Sequence, residues 1–234
     1  MEAEQARIQA DLRGILDGEV FCDPLYSQMY ASDASLYQVT PIAVVRPRHA
    51  NDVSGCVKYA VENSLPVFPR GGGTGLAGQS LGPGIILDFS RFMRRMLDVD
   101  IENRQVRVQP GITLGELNRQ LAQHRLVLGI DPPMRAVTTV GSLIAIDALG
   151  SHYPRYGTAG SHLLAAQAVL DDGQRVTLAK TSWHYPNTGS QRLDQIANDL
   201  GRYLTDRKDD ILSPPWKGVP RGCGYRLESV LEDD

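Results

Sequence analysis

Cysteine is scarce in this chain: Cys22, Cys56 and Cys223 are the only three among 234 residues, and no two form a C-x-x-C pair. That argues against a zinc finger or a disulfide framework. Histidine is little richer. None of the five histidines stands at ligand spacing from another histidine, a cysteine or a carboxylate cluster, so no metal site is expected. Long apolar runs are missing too, and no stretch approaches the roughly 18 residues a membrane span requires. Excess charge of either sign is also absent. With 24 basic and 27 acidic residues, the net charge of −3 provides no electrostatic pull toward nucleic acid or a membrane surface. The opening Met1-Glu2-Ala3-Glu4-Gln5 is acidic and polar, unlike a signal peptide, and no internal repeat or low-complexity tract is found. A cytoplasmic protein with an ordinary core is expected, with 42% hydrophobic and 22% charged residues.

Glycine is where the chain departs from the ordinary. Pro69-Arg70-Gly71-Gly72-Gly73-Thr74-Gly75-Leu76-Ala77-Gly78 holds five glycines in the eight residues from Gly71 to Gly78. Glycine permits positive φ and close backbone approach at an entropic cost. Consecutive N–H groups facing one concavity make an anion site. Gly73 to Gly78 also spells G-x-G-x-x-G, with Asp98 lying 20 residues further on. That fingerprint has meaning only where it opens a helix between two strands. Gly82-Pro83-Gly84 forbids the helix, and Ile85 to Phe89 reads as a strand. The order strand, glycine loop, strand excludes a Rossmann unit.

Elsewhere the patterns predict an amphipathic helix from Ala3 to Leu16, then a loop with short helical turns from Val20 to Gln38. The tyrosines of that loop, Tyr26, Tyr30 and Tyr37, fit either a site lining or packing at the domain edge. Strands are expected at Ile42–Arg46, Leu65–Arg70, Ile85–Phe89 and Gln105–Gln109. A helix starting near His49 runs to about Asn63. Thr113 caps another through Ala122, with Glu116 placed for a capping box. Thr139 opens a third, Ser151 to Gly157 reads as a polar loop, and Asp171-Asp172-Gly173 turns a hairpin between Leu163–Leu170 and Gln174–Leu178. After a polar loop from Ser182 to Ser190, Leu193, Ile196, Leu200 and Leu204 line one helix face. Pro214 to Gly224 is irregular, and the chain stops at Asp234 as if a further segment followed.

Three segments together resemble the FAD-binding (PCMH-type) domain of the vanillyl-alcohol oxidase/p-cresol methylhydroxylase flavoproteins. They are Pro69-x-Gly71-Gly72-Gly73-Thr74-x-x-x-Gly78, Val108-x-Pro110-Gly111, and Thr139-Val140-Gly141 continuing to Gly150 and Arg155-Tyr156-Gly157. Within that family the nearer resemblance is to FAD-linked dehydrogenases of D-lactate and D-2-hydroxyglutarate. It implies an α+β fold of two α/β subdomains, not Rossmann, with FAD between them. Residues 1–40 would be an N-terminal helix and loop, 41–100 and 101–180 the two subdomains, and 181–234 an incomplete extension leading to a substrate domain. It implies that Arg70, Gly71, Gly72, Gly73, Thr74, Gly75 and Gly78 wrap the pyrophosphate, with Gln79 and Ser80 extending that wall. Pro110, Gly111 and Pro132 would approach the adenosine side. Thr139, Val140, Gly141 and Ser142 would supply further amides and a hydroxyl, and Gly150, Arg155, Tyr156 and Gly157 would lie near the flavin ring.

The resemblance further implies oxidation of a D-2-hydroxy acid to the 2-oxo acid, with the substrate domain and any iron–sulfur or other electron-transfer module downstream. No catalytic residue is assigned. No histidine stands beside or within the pyrophosphate loop, so FAD is expected to be non-covalent, with His152 and His162 the two worth testing otherwise. Arg155 could face a substrate carboxylate or pair with a neighbouring acid. Two departures stand out: Ser142 replaces a second glycine, and Asp147 stands where asparagine is common. An ionised Asp147 near the pyrophosphate would oppose it, so a partner or an outward orientation is expected. Two alternatives remain open: an FAD oxidase of another alcohol or sugar, and a non-catalytic nucleotide-binding remnant.

Overall fold

The computed structural model describes residues 3–179, 188–212, 225 and 227–232. The polar loop expected at 182–190 lies mostly outside these residues, and the irregular stretch expected at 214–224, with Cys223, lies wholly outside them.

A four-stranded sheet organises the first half. Its spatial order is β1 (Glu19–Phe21), β2 (Ala43–Arg46), β4 (Ile85–Asp88), β3 (Val67–Arg70). β1 is antiparallel to β2, whereas β2, β4 and β3 are mutually parallel. Between β2 and β3 runs α3 (Ala50–Glu62), so β4 enters the sheet last and fills the gap between them. β4 is buried at all four positions, as expected of a parallel strand covered on both faces.

On one face Ala43, Val45, Ile85 and Leu87 meet α1 (Ala3–Ile15) and α3 through Ile8, Leu12, Val53, Cys56 and Ala60. On the other, Val44, Ile86 and Phe68 meet Phe21 and Tyr30, the latter following α2 (Pro24–Met29). The helix expected from His49 forms with His49 as N-cap and Asn63 as C-cap. β1 forms where a loop was expected. It is three residues long, too short for alternation to register, and it exists through pairing with β2.

The second half is built on α4 (Leu114–Leu121). Leu117 and Leu121 pack with Ile112 over the antiparallel pair β5 (Met96–Asp100) and β6 (Gln105–Val108). β5 was not expected. A register shift between Met96 and Asp98 interrupts its pattern. Asp98, the acid that a dinucleotide fingerprint would have used, is exposed there opposite Arg107.

Thr113 caps α4 by accepting from Glu116 N–H, but the Glu116 carboxylate turns to Arg119 and Gln120, leaving the capping box half made. Leu114 points the other way, into a cluster with Ile130, Leu143, Ala148 and Ala159 that seats α5 (Val140–Ala145). α6 (Tyr153–Tyr156) forms inside the expected polar loop, with Pro154 in its first turn.

The Asp171–Gly173 turn joins β7 (Ala165–Val169) and β8 (Arg175–Ala179), with Gly173 at φ 76°. This hairpin lies on α3, where Ser54 Oγ donates to Gly173 O and Arg175 donates to Asn51. α7 (Gln191–Asp206) is tied to the same turn by Arg192 and Asp171, followed by α8 (Lys208–Leu212) and α9 (Leu227–Glu232).

Candidate cofactor site

β3 delivers the glycine loop at the C-terminal end of the parallel strands. The loop must then return to the start of β4, and it runs back along β3 to do so. A Cβ on Gly82 would overlap the Phe68 ring, and one on Gly84 would overlap Pro66 O. Gly73 and Gly78 have φ of 64° and 73°, conformations that favour glycine. Among the described residues, no hydrogen bond is donated by the backbone N–H of any residue from Gly72 to Ser80. Half-exposed unsatisfied amides in one short loop are what an anion site requires.

The start of α5 stands against this loop. A Cβ on Gly71 would overlap both Thr139 Oγ1 and Ser142 Oγ, and one on Gly72 would overlap Val137 O. Thr139 Oγ1 and Ser142 Oγ are 2.9 Å apart, and Thr74 Oγ1 lies 3.5 Å from Thr138 Oγ1. The second amide set expected here is engaged. Val140 N–H donates to Ile112 O and Gly141 N–H to Pro110 O, both at 2.8 Å, while Ser142 N–H donates to Thr139 Oγ1. Thr139 is 1% exposed and its Oγ1 is taken up by Ser142, so what the start of α5 offers a ligand is the half-buried Ser142 hydroxyl. Pro110 packs on Gly141, whose Cβ would lie 2.9 Å from Pro110 Cβ, and Gly111 abuts the carbonyls of Phe89 and Met93.

The remaining candidates form a second group. Gly150 lies on the backbone of Asp131, beside the buried Pro132. Ser151 Oγ and Arg135 both donate to the Asp131 carboxylate, and these, Ser151 first, hold it below the usual aspartate range. The Tyr156 ring covers Gly129, where a Cβ would come within 2.7 Å. Arg155 stacks over that ring at 5.4 Å and forms no ion pair among the described residues. Gly157 has φ 69°. His152 Nδ1 is 3.2 Å from Gly129 O and His162 Nε2 is 2.8 Å from Tyr156 O, so both rings are held by main-chain carbonyls. Asp147 takes φ 45°, and its carboxylate accepts Gly160 N–H at 2.7 Å. It has the partner expected of it.

Three side-chain arrangements around the site have partners that the sequence reading did not name. Tyr30, 8% exposed, donates to Asp88 Oδ2 at 2.6 Å and accepts from Arg46, so it belongs to packing under the loop. Burial, reinforced by Asp88, pushes its phenol up to about 12. Arg70, counted among the loop's own residues, reaches sideways to Tyr30 O and Ser32 O. Asp17, His49 and Asp52 also come together at the start of α3. Their atoms serve that helix end: the Asp52 carboxylate accepts the N–H groups of Asp17 and Arg48, and His49 Nε2 meets Asp17 Oδ2 at 2.9 Å.

Loop amides without a described acceptor and glycines with no room for a side chain are the features that an anion site on a loop requires. The chain belongs to the family described as FAD binding domain, whose match covers residues 41–179, and FAD is the cofactor. It is 40% identical to a D-2-hydroxyglutarate dehydrogenase of Pantoea ananatis over 214 residues, covering 87% of this chain and 20% of that protein. It is 35% identical to a D-lactate dehydrogenase of Archaeoglobus fulgidus, covering 63% of this chain and 35% of that protein. The chain thus spans about a fifth of the length of the D-2-hydroxyglutarate dehydrogenases it matches. Among solved structures, 6-hydroxy-D-nicotine oxidase from Arthrobacter nicotinovorans superimposes with a TM-score of 0.62 at 26% identity, over 70% of this chain and 36% of that one. The fold is that of PCMH-type oxidases and not Rossmann. No helix among the described residues is long and apolar enough to cross a membrane.

Proposed function

We propose that this chain is the cofactor-binding part of a flavin-dependent dehydrogenase or oxidase that converts a D-2-hydroxy acid of the D-lactate, glycolate or D-2-hydroxyglutarate type to its 2-oxo acid. The observation that carries the reading is the run of N–H groups from Gly72 to Ser80 that have no acceptor among the described residues, in a loop whose first glycine, Gly71, packs on Thr139 and Ser142. In this reading those amides, with Arg70 and Gly71 at the loop's start, take the diphosphate. Pro110, Gly111 and Pro132 bound the adenosine side, the Ser142 hydroxyl, held by Thr139, adds a donor, and Gly150, Arg155, Tyr156 and Gly157 approach the ring. Bound FAD supplies the acceptor for the hydride that leaves the substrate's carbinol carbon. This chain's residues hold and orient the cofactor and exclude water from the diphosphate. Residues 41–100 and 101–180 serve as the two subdomains, and 181–234 begins the connection to a substrate domain that carries the base.

Non-covalent attachment is part of the same proposal. The histidines at 152 and 162 are committed to carbonyls, and residues 69–80 contain none. So are a cytoplasmic location, in keeping with the free buried thiols of Cys22 and Cys56, and a downstream iron–sulfur or other electron carrier. A second reading, an oxidase of another alcohol or sugar, rests on the same cofactor module, whose likeness to 6-hydroxy-D-nicotine oxidase indicates that this fold serves substrates other than 2-hydroxy acids. The non-catalytic remnant is disfavoured because both departures are accommodated: Ser142 bonds Thr139, and Asp147 caps Gly160.

The test is anaerobic. FAD-loaded protein, expressed with any sequence its gene continues into, is mixed with D- and L-enantiomers of lactate and 2-hydroxyglutarate, with glycolate, and with sugars. Bleaching of the flavin by D-2-hydroxy acids is expected. Bleaching by sugars alone would favour the second reading.

A further inference from the structure

A loop made of glycine has few side chains with which to hold itself in shape, yet an amide cradle binds tightly only if it is ordered before the ligand arrives. The segment from Tyr30 to Val39 supplies the order. It is a closed turn: Val39 N–H donates to Ala31 O at 2.8 Å, Ser32 bridges Gln38, and Asp33 Oδ1 accepts Ser35 N–H at 2.8 Å. Its base is fixed in the core by the Tyr30–Asp88 hydrogen bond and the Arg46 guanidinium.

From that base it grips the glycine loop along its length. Ser32 O accepts Arg70 Nη2 at 2.8 Å at the loop's start, and Ala34 N–H donates to Gly73 O at 2.9 Å. The Tyr37 ring lies against Gly78, where a Cβ would come within 2.9 Å. Asp33 Oδ2 accepts Ser80 Oγ at 3.0 Å at the far end. Asp33 is the joint, since one carboxylate oxygen shapes the turn and the other ties it to the loop. Burial alone would raise the Asp33 carboxyl. Hydrogen bonds from Ser35 and Ser80, with the Arg70 charge, outweigh that and hold it low, so the joint stays ionised.

An acid beside an anion site would weaken binding by its charge. Its presence here calls for a mechanical reason. We propose that Asp33 is a positioning residue that preorganises the diphosphate loop through the 30–39 strap. This rests on the reading of residues 72–80 as the FAD cradle.

The test compares Asp33→Ala, Asp33→Asn and Ser80→Ala by FAD titration and by amide hydrogen exchange on the FAD-free protein. Asn keeps an acceptor for Ser35 N–H and a donor for Ser80 Oγ, while discarding the charge. Asp33→Ala is expected to weaken FAD binding about tenfold and to speed exchange at Ala34, whose N–H reports the grip on Gly73. Asp33→Asn is expected to stay within about threefold of wild type in both readouts. Ser80→Ala weakens FAD binding, and combining it with Asp33→Ala adds nothing further, because both remove the same hydrogen bond.

Unchanged Ala34 exchange in Asp33→Ala would overturn the proposal. So would tighter FAD binding by Asp33→Asn, which would make the charge the residue's main effect. If wild type binds no FAD, the cofactor reading fails, and the exchange data still decide on the strap. Ser80→Ala leaves the turn's own bonds in place and guards against an Asp33→Ala chain that does not fold.

Discussion

Gly71 and Thr139 meet with no space between them: a Cβ on the glycine would overlap the threonine hydroxyl, and Thr139 is 1% exposed. The two elements that face the diphosphate in this account are therefore in contact. Neither is free to retreat, since β3 fixes one and the Pro110 and Ile112 carbonyls fix the other.

Gly71→Ala tests that contact. Overpacking against buried side chains costs about 1–3 kcal/mol, and here it falls on the loop's start. A loss of FAD affinity of about tenfold or more is expected, with far-UV circular dichroism unchanged. Unaltered affinity would separate the loop from the cofactor.

Amide hydrogen exchange distinguishes the two sets of N–H groups. Residues 72–80 donate to no acceptor among the described residues and should exchange fast in FAD-free protein, then slow on FAD addition. Val140 and Gly141 donate to carbonyls in both states and should be protected throughout. Protection that FAD changes only at Val140 and Gly141 would reverse the roles assigned here.

Much of this was legible in the sequence, for local reasons. His49, Thr113 and Thr139 each cap a helix where the pattern placed one, and Asp-Gly turns the hairpin between β7 and β8. Gly82-Pro83-Gly84 sufficed to reject a Rossmann unit, and the sheet order agrees.

What escaped depends on partners far away in the chain. Asp33 and Ser80 are 47 residues apart, Tyr30 and Asp88 are 58 apart, and no local spacing signals either pair. The fate of the Val140 and Gly141 amides was hidden for the same reason: their acceptors, Ile112 O and Pro110 O, lie before α4, far back in the chain. A short helix start looks like a donor set until the chain that packs on it is known.

Tyr30→Phe removes the hydroxyl between Arg46 and Asp88, which leaves a buried carboxylate short of a donor. A loss of about 1–3 kcal/mol near neutral pH is expected by urea unfolding. The folded protein holds the phenol protonated to about pH 12, against a usual value near 10. Between these values the folded state binds the extra proton, so wild-type stability falls as pH rises through that window and is unaffected by this group below it. Tyr30→Phe lacks that component, and its deficit should shrink above about pH 10.

Cys22 and Cys56 are both fully buried, and burial pushes their thiols up to about 11 and about 12. Neither should react with a thiol reagent in the native protein, and both should react in urea, as mapped by mass spectrometry. Labelling of Cys56 without unfolding would contradict the core between the sheet and α3.

The most direct measurement is the absorption spectrum of the purified protein, incubated with FAD, desalted, and recorded before and after acid precipitation. Flavin bands near about 375 and 450 nm that travel with the protein and pass to the supernatant in acid are expected. A protein that stays colourless and takes up no FAD would contradict the account at its centre.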